Sequence, residues 1–385
     1  LKPDQLIGQN LNSFLPDHVV KQLQSGIDGN DFSIINPMSL PRLDEKIGER
    51  LLIAHRSNDQ LLLEVERVPD RKNDLQLLNR IDRAISRIQS VRHEKELFQT
   101  VVKEVRAITD YDRIMIYRFD KDYNGEVVAE EKVEHIEAFL GIHYPATDIP
   151  KQARDLFLDN RVRMLVDVDD ELSFIHPPVH PVTGDPLNVS GVACRGVSPI
   201  HLEYLRNMGV RATLNVAIVE DEKLWGLIAC HNYSPRVLDY RLRNLIRFVG
   251  QIISGHLSLY RATRFREMLL HKNKVQARLF ANMNQEKNLV AGLLSESLLI
   301  QELISSCGVA IIFDEQIHLL GETPDEGTVV DLAKAISKNC TGVLFATDSL
   351  PIEPIANGLR ETMVRKYAGL LSVSLSDDQP EYLIW

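Results

Sequence analysis

The sequence predicts an α+β fold, with helices packed on antiparallel sheets, and three observations predict it. Two apolar, β-branched runs at residues 213–219 and 224–231 are separated only by Glu220-Asp221-Glu222-Lys223, the pattern of a tight antiparallel hairpin. Leu78, Ile81, Ile85 and Ile88 recur every three or four positions, the spacing of one helix face. From about residue 240 to 304 there is no proline, and Leu242, Leu245, Val249 and Ile252 keep helical spacing. Hairpin sheets beside separate long helices make the fold α+β rather than an alternating parallel one.

In chain order, residues 1 to about 72 hold a short helix near 17–24 and a strand pair, 50–55 and 60–68, joined through Ser57-Asn58-Asp59. A helix is expected from 75 to 108. A strand at 114–119 then turns through 120–125 into a second strand at 126–130. After the hairpin, the proline-free stretch is much longer than a usual globular helix and predicts a connecting spine. The last part shows strands at 309–313, 318–320 and 370–375, with a helix at 329–338. The expected division is 1–74, 75–240, the spine 241–304, and 305–385. The chain lacks an initiator Met and stops at Tyr-Leu-Ile-Trp (382–385), inside what reads as a buried strand, so a fragment incomplete at both ends is expected.

Composition sets further limits. A length of 385 residues predicts two or three domains, each with its own core. The net charge of −10 argues against a nucleic-acid partner, because phosphate binding needs concentrated Lys and Arg. No apolar run is long enough to span a bilayer, and no membrane partner is expected. Cys194, Cys230, Cys307 and Cys340 have neither metal-site spacing nor the density of a disulfide framework, which suits a reduced cytoplasm. His176 and His180 are four apart, but the prolines between them prevent the helical turn that would align two metal ligands. There is no P-loop, Gly-rich dinucleotide motif or Ser/His/Asp motif, so no enzyme activity is expected within this chain.

The most informative stretch is residues 195–209. Ser198 suits a helix cap, Pro199 the first helical position, and Gly209 the left-handed residue that closes the far end. His201, Tyr204, Leu205 and Met208 fall on one face, which is expected to be the buried one. Asp148, just before Ile149-Pro150, suits an N-cap for the helical run that follows. Arg161-Val162-Arg163 reads equally well as a solvated edge, and His231 ends a strand, where a histidine is commonly solvated.

Four segments resemble phytochromes, in that family's order: Tyr-Asp-Arg-Ile-Met-Ile-Tyr-Arg-Phe (111–119), Tyr-Pro-Ala-Thr-Asp-Ile-Pro (144–150), Ser-Pro-Ile-His-Leu-Glu-Tyr-Leu-Arg-Asn-Met-Gly-Val (198–210) and Leu-Trp-Gly-Leu-Ile-Ala-Cys-His (224–231). The resemblance implies an incomplete PAS-like domain, a complete GAF domain, and a partial, GAF-related PHY domain without its tongue hairpin. It implies a red/far-red photoreceptor holding a linear tetrapyrrole (bilin), with biliverdin favoured and phycocyanobilin the other candidate. In such a pocket the main-chain carbonyl of Asp148, beside Ile149 and Pro150, meets pyrrole N–H groups, and His201 does so through water. His231 reaches the last ring, which Tyr117, Tyr144 and Tyr204 wall. Arg163 and Arg195 pair with the two propionates, with Ser198, Thr213 and Asn215 as further donors.

Ile200 departs from the plant-type pattern, in which the residue before the pocket histidine is the attachment cysteine. The attachment cysteine is therefore expected outside this chain, and Cys194 is read as a small buried residue. The resemblance also implies a homodimer through the spine, and a histidine kinase with its response regulator downstream. The rival reading is a GAF-type module for a cyclic nucleotide or another small metabolite, whose phosphate the two arginines and His201 would suit.

Overall fold

The computed structural model describes residues 6–40, 49–57, 59–67, 74–180, 183–193, 195–286, 289–339, 342–348, 366–376 and 381–385. It divides into two compact units, Leu1–Arg261 and Ala262–Trp385.

In the first unit, α1 (Asp17–Asp28) lies on a three-stranded antiparallel sheet of β1 (Met38–Leu40), β2 (Arg50–Ser57) and β3 (Gln60–Arg67), in that order. Val19 and Leu23 of the helix pack with Met38, Leu40, Leu52 and Ala54. The single helix expected over 75–108 is two: α2 (Asp74–Ser90) and α3 (Glu94–Thr109). The break has a tertiary cause. The Val91 carbonyl meets the His256 ring at 2.9 Å, and His93 is extended (φ −117°, ψ 134°).

The main sheet comprises β4 (Arg113–Phe119), β5 (Gly125–Lys132), β6 (His143–Tyr144), β7 (Val162–Leu165), β8 (Ala212–Glu220) and β9 (Lys223–Asn232), in the order β6-β5-β4-β9-β8-β7. Two helices lie within this run: α4 (Lys151–Asp159) before β7, and α5 (Pro199–Asn207) before β8. Asp221 and Glu222 turn the expected β8–β9 hairpin with φ of 48° and 61°, the mirror-image turn whose twist matches the strands. One sheet face is covered by α2, α3 and the start of α6 (Tyr240–Gln285). Ile114, Ile116, Leu214, Val216, Ile218, Ile228 and Cys230 point into that core.

The spine expected to run to residue 304 ends at Gln285, and α7 (Leu289–Leu294) and α8 (Ser297–Ile304) follow. The chain folds back because a second core captures it. In the second unit, Val275 and Leu279 pack with Val290, Leu293, Leu299, Ile300, Val309 and Ile311. Gly292 permits the return: a Cβ there would lie 2.4 Å from the Met283 Cα. The sheet of this unit holds β10 (Gly308–Phe313), β11 (Gln316–Gly321), β12 (Leu344–Thr347), β13 (Leu370–Ser374) and β14 (Tyr382–Ile384), ordered β11-β10-β14-β13-β12. On its other face, Val329, Ala333 and Ile336 of α9 (Glu326–Asn339) pack on Ala310, Tyr382 and Ile384. The terminal strand is thus buried at the sheet's centre. Cys194, Cys340, Asn58 and Val68 lie outside the described residues.

Candidate functional site

Strand alternation builds the site. Leu214, Val216 and Ile218 face the helical core, so Thr213, Asn215 and Ala217 face the other way. Directly opposed residues of antiparallel strands share a face. The register pairs Thr213 with His231, Asn215 with Ala229, and Arg163 with Asn215. Across β4 and β9 it pairs Arg113 with His231, Met115 with Ala229, and Tyr117 with Leu227. Arg163, Asn215, Thr213, His231 and Tyr117 therefore line one surface from strands far apart in sequence. Phe157 of α4 joins the apolar floor, against which Tyr144 and Ile149 pack.

Aromatic side chains and a carboxylate form one corner. The Tyr117 and Tyr144 rings are 5.8 Å apart, and the Tyr204 hydroxyl donates to Asp148 Oδ2 at 3.3 Å. Burial raises the pKa of Tyr117, Tyr144 and Tyr204, and the Asp148 carboxylate adds to each rise. Gly125 admits the Tyr117 ring, since a Cβ there would fall 1.7 Å from Tyr117 Cζ. Asp148 is not the cap of α4, as its place in the sequence suggested; Pro150, exposed, holds that position. The Asp148 N–H bonds Pro145 O at 3.0 Å in a turn that directs its carboxylate to Tyr204 instead. Arg154 steadies this turn through Ile149 O at 2.6 Å.

The short helix α5 begins and ends where expected, with Pro199 first and Gly209 at φ +68°. Two expectations there are corrected. Ser198 takes the cap position, but its hydroxyl makes no bond to the first turn; it is exposed, so water can meet the free N–H groups. His201 is exposed rather than part of the buried stripe, because α5 packs through Leu202, Leu205, Tyr204 and Met208. The His201 ring lies parallel to Tyr204, 6.4 Å away. The surrounding protein desolvates it enough to lower its pKa, and Arg163 lowers it further.

The opposite corner is basic and poorly hydrated. Arg163 Nη1 is buried without a hydrogen-bond partner, and burial lowers its pKa. Arg195 donates from Nη1 to Ser190 O at 3.0 Å and Val192 O at 2.8 Å. Burial, then repulsion from Arg163, brings its pKa down to about 10. Half-buried like charges that repel each other suit an anion. His231 Nδ1 is likewise buried and unpartnered, and burial, then Arg113 and His201, lowers the pKa of the ring to about 3.

The low His231 value has a consequence for acid stability. Unfolded, the ring takes up its proton near the ordinary 6.5; folded, it resists until about 3. The unfolded chain therefore binds more protons in that window, and stability falls as pH drops from about 6.5 toward 3. His231→Asn is expected to flatten the fall. Urea midpoints measured between pH 7 and pH 4 check this, and parallel curves for both proteins would rule His231 out as the cause.

Arg113, Glu130, Phe139 and Arg154 also shape the site and were not singled out from sequence. The available signal was Arg113 itself, a charge opening a strand whose next four residues are uncharged.

The photosensory core module of a Stigmatella aurantiaca phytochrome superposes with a TM-score of 0.79 at 31% identity, covering 100% of this chain and 76% of that one. The chain belongs to the phytochrome family. A bacteriophytochrome from the photosynthetic bacterium R. palustris gives a TM-score of 0.82 at 29% identity, covering 99% of this chain and 76% of that one. The GAF domain family matches residues 93–258, and the Phytochrome region (PHY) matches 272–385. Cyanobacterial phytochrome B of Nostoc sp. is 34% identical over 388 residues, which is 100% of this chain and 51% of that protein. A bacteriophytochrome of Xanthomonas campestris pv. campestris is 37% identical over 293 residues, 74% of this chain and 46% of that protein. This phytochrome chain thus spans about half the length of the curated relatives it matches. The α+β class and the four resembling segments agree with that membership. Among the described residues, no helix is long and apolar enough to cross a membrane.

Proposed function

We propose that the chain is the light-sensing part of a red/far-red photoreceptor and holds a linear tetrapyrrole on the polar face of its six-stranded sheet. One observation carries the reading. Arg163 Nη1 and His231 Nδ1, both buried without partners, stand on a face that also bears the poorly hydrated Arg195. Unmet buried donors and charges are costly, so the face suits a ligand with carboxylates at one end and polar ring groups at the other. A bilin has that chemistry.

Arg163 and Arg195 would hold the propionates, with Asn215, Thr213 and Ser198 as neutral donors nearby. The Asp148 carbonyl, in the turn with Ile149 and Pro150, and His201 would meet the pyrrole N–H groups. His231 is uncharged at neutral pH and would bond the last ring, with Tyr117, Tyr144 and Tyr204 around it. When bound, the bilin supplies light absorption and isomerisation of the double bond before that ring. The chain's part is to hold one set of bonds in the dark and another after light, a two-state bias set by differential contacts.

Biliverdin fits an arrangement in which Ile200 offers no nucleophile and Cys230 is buried in the helix-covered core. The domain reading remains a PAS-like segment to residue 74, GAF to 240, a helical connection, and PHY beyond 305. A cytoplasmic homodimer through α6, signalling to a histidine kinase and response regulator, completes the proposal.

Mixing the protein with biliverdin and recording a visible spectrum tests it; a spectrum identical to free pigment would defeat it. His201→Ala should still take up pigment but lower the pKa of the bound bilin by about one unit, as the ring cation loses an anchored partner. Absorbance titration reads the shift, and an unchanged midpoint would leave His201 a structural role.

A further inference from the structure

We infer that Glu64, on β3 of the small N-terminal sheet, is a positioning residue for Arg195 and so governs recognition of the ligand's carboxylates. The inference rests on the proposed tetrapyrrole reading and deepens it. Glu64 is only 8% exposed. Its two oxygens accept the Ala193 N–H at 3.1 and 3.0 Å, across 129 residues of sequence. His55, diagonal to Glu64 on the neighbouring strand of the same hairpin, sits 2.6 Å from Glu64 Oε1 and holds the carboxylate. A second tie from that hairpin runs from Ser57 Oγ to Asn188 O at 2.9 Å.

The loop so gripped is the one that wraps the Arg195 guanidinium. Ser190 O and Val192 O accept from Arg195 Nη1, while Asn160 Nδ2 donates to Ser190 O at 3.1 Å. Arg195 therefore takes its direction from carbonyls whose own positions depend on the Ala193 anchor. Glu64 also offsets, in part, the repulsion that Arg163 exerts on Arg195. A buried carboxylate that turns both oxygens toward the Ala193 N–H of a loop distant in sequence costs desolvation, which its hydrogen bonds, the His55 contact among them, offset. A covering role alone would be met by an apolar side chain.

Affinities for biliverdin and for biliverdin dimethyl ester separate positioning from general damage. Glu64→Ala should weaken biliverdin binding about tenfold, the scale of one compromised charge-assisted bond, and leave the ester nearly unaffected. Glu64→Gln, which keeps an oxygen for the Ala193 N–H, should recover most of the loss. In an Arg195→Ala background, Glu64→Ala should cost nothing more. Equal weakening of both pigments, or unchanged biliverdin affinity, would overturn the inference. If the unaltered protein binds neither pigment, the tetrapyrrole reading fails on its own. Hydrogen exchange of the pigment-free protein still judges the clamp: faster exchange confined to residues 188–193 in Glu64→Ala supports it, and unchanged exchange there overturns it.

Discussion

An Ile200→Cys variant loaded with phycocyanobilin or biliverdin is expected to keep its pigment through denaturation, while the unaltered chain releases it. Ile200 is 80% exposed on the first turn of α5, one residue from His201 and next to the face described above. A thiol there is reachable by a bound ligand and not walled into the core. A nucleophile held beside an electrophilic double bond of the pigment's first ring gains the large rate advantage of proximity over free solution. Addition joins sulfur to carbon, consumes one conjugated double bond, and leaves the thiol proton on the pigment, so absorption should move to shorter wavelength.

The described cysteines do not anticipate this result. Cys230 points into the helix-covered core, where burial pushes its thiol pKa strongly up, and Cys307 belongs to the second unit. Denaturing gels read by zinc-induced bilin fluorescence give a direct answer. A strong covalent band from the unaltered chain would point to Cys194 and reverse the reading of position 200.

What the sequence revealed, and what it hid, follows from the range of the interactions involved. The β8–β9 hairpin and both ends of α5 were legible because their causes are local: turn residues that accept positive φ, a proline at the first position, a glycine at the last. The break between α2 and α3 was not legible, because the Val91 carbonyl is taken by His256, 165 residues away. The end of α6 at Gln285 depends on Gly292 lying against Met283. The site shows the same divide. The candidate residues came from whole motifs, but their geometry came from partners elsewhere. Asp148 reads locally as a cap, yet its carboxylate meets Tyr204; His201 shares the helical spacing of Leu205, yet is exposed where Leu205 is buried. Nothing near Glu64 or Arg113 in sequence announces the loop or ion pair that each one serves.

Replacing Arg113 by methionine is expected to cause the largest loss of stability of any single change around the site. Arg113 and Glu130 pair at 2.8 Å with side chains 1% and 4% exposed, so neither charge has water to fall back on. Arg113 also donates to Glu137 O at 2.6 Å and Tyr233 Oη at 3.2 Å, and its guanidinium stacks 3.5 Å from the Phe139 ring centre. Glu130 in turn accepts the Phe139 and Leu140 N–H groups. The pair therefore pins the connection between β5 and β6 to the sheet. Methionine fills much of the volume but strands a buried carboxylate, a loss on the order of 3–5 kcal/mol. Adding Glu130→Gln to that variant should recover part of it, because the remaining buried amide is neutral. Urea unfolding followed by tyrosine and tryptophan fluorescence measures both steps. The same replacement should reach His231, which faces Arg113 across β4 and β9 and whose pKa is depressed by burial and, after that, by Arg113. With the cation gone, the folded-state pKa of His231 rises toward its unfolded value. The pH window in which the unfolded chain binds the extra proton then narrows from its lower end. Arg113→Met should thus be less stable at neutral pH yet lose proportionately less on acidification. NMR titration of the His231 ring would show the shift, and a ring that titrates unchanged in the variant would confine Arg113 to a purely structural role.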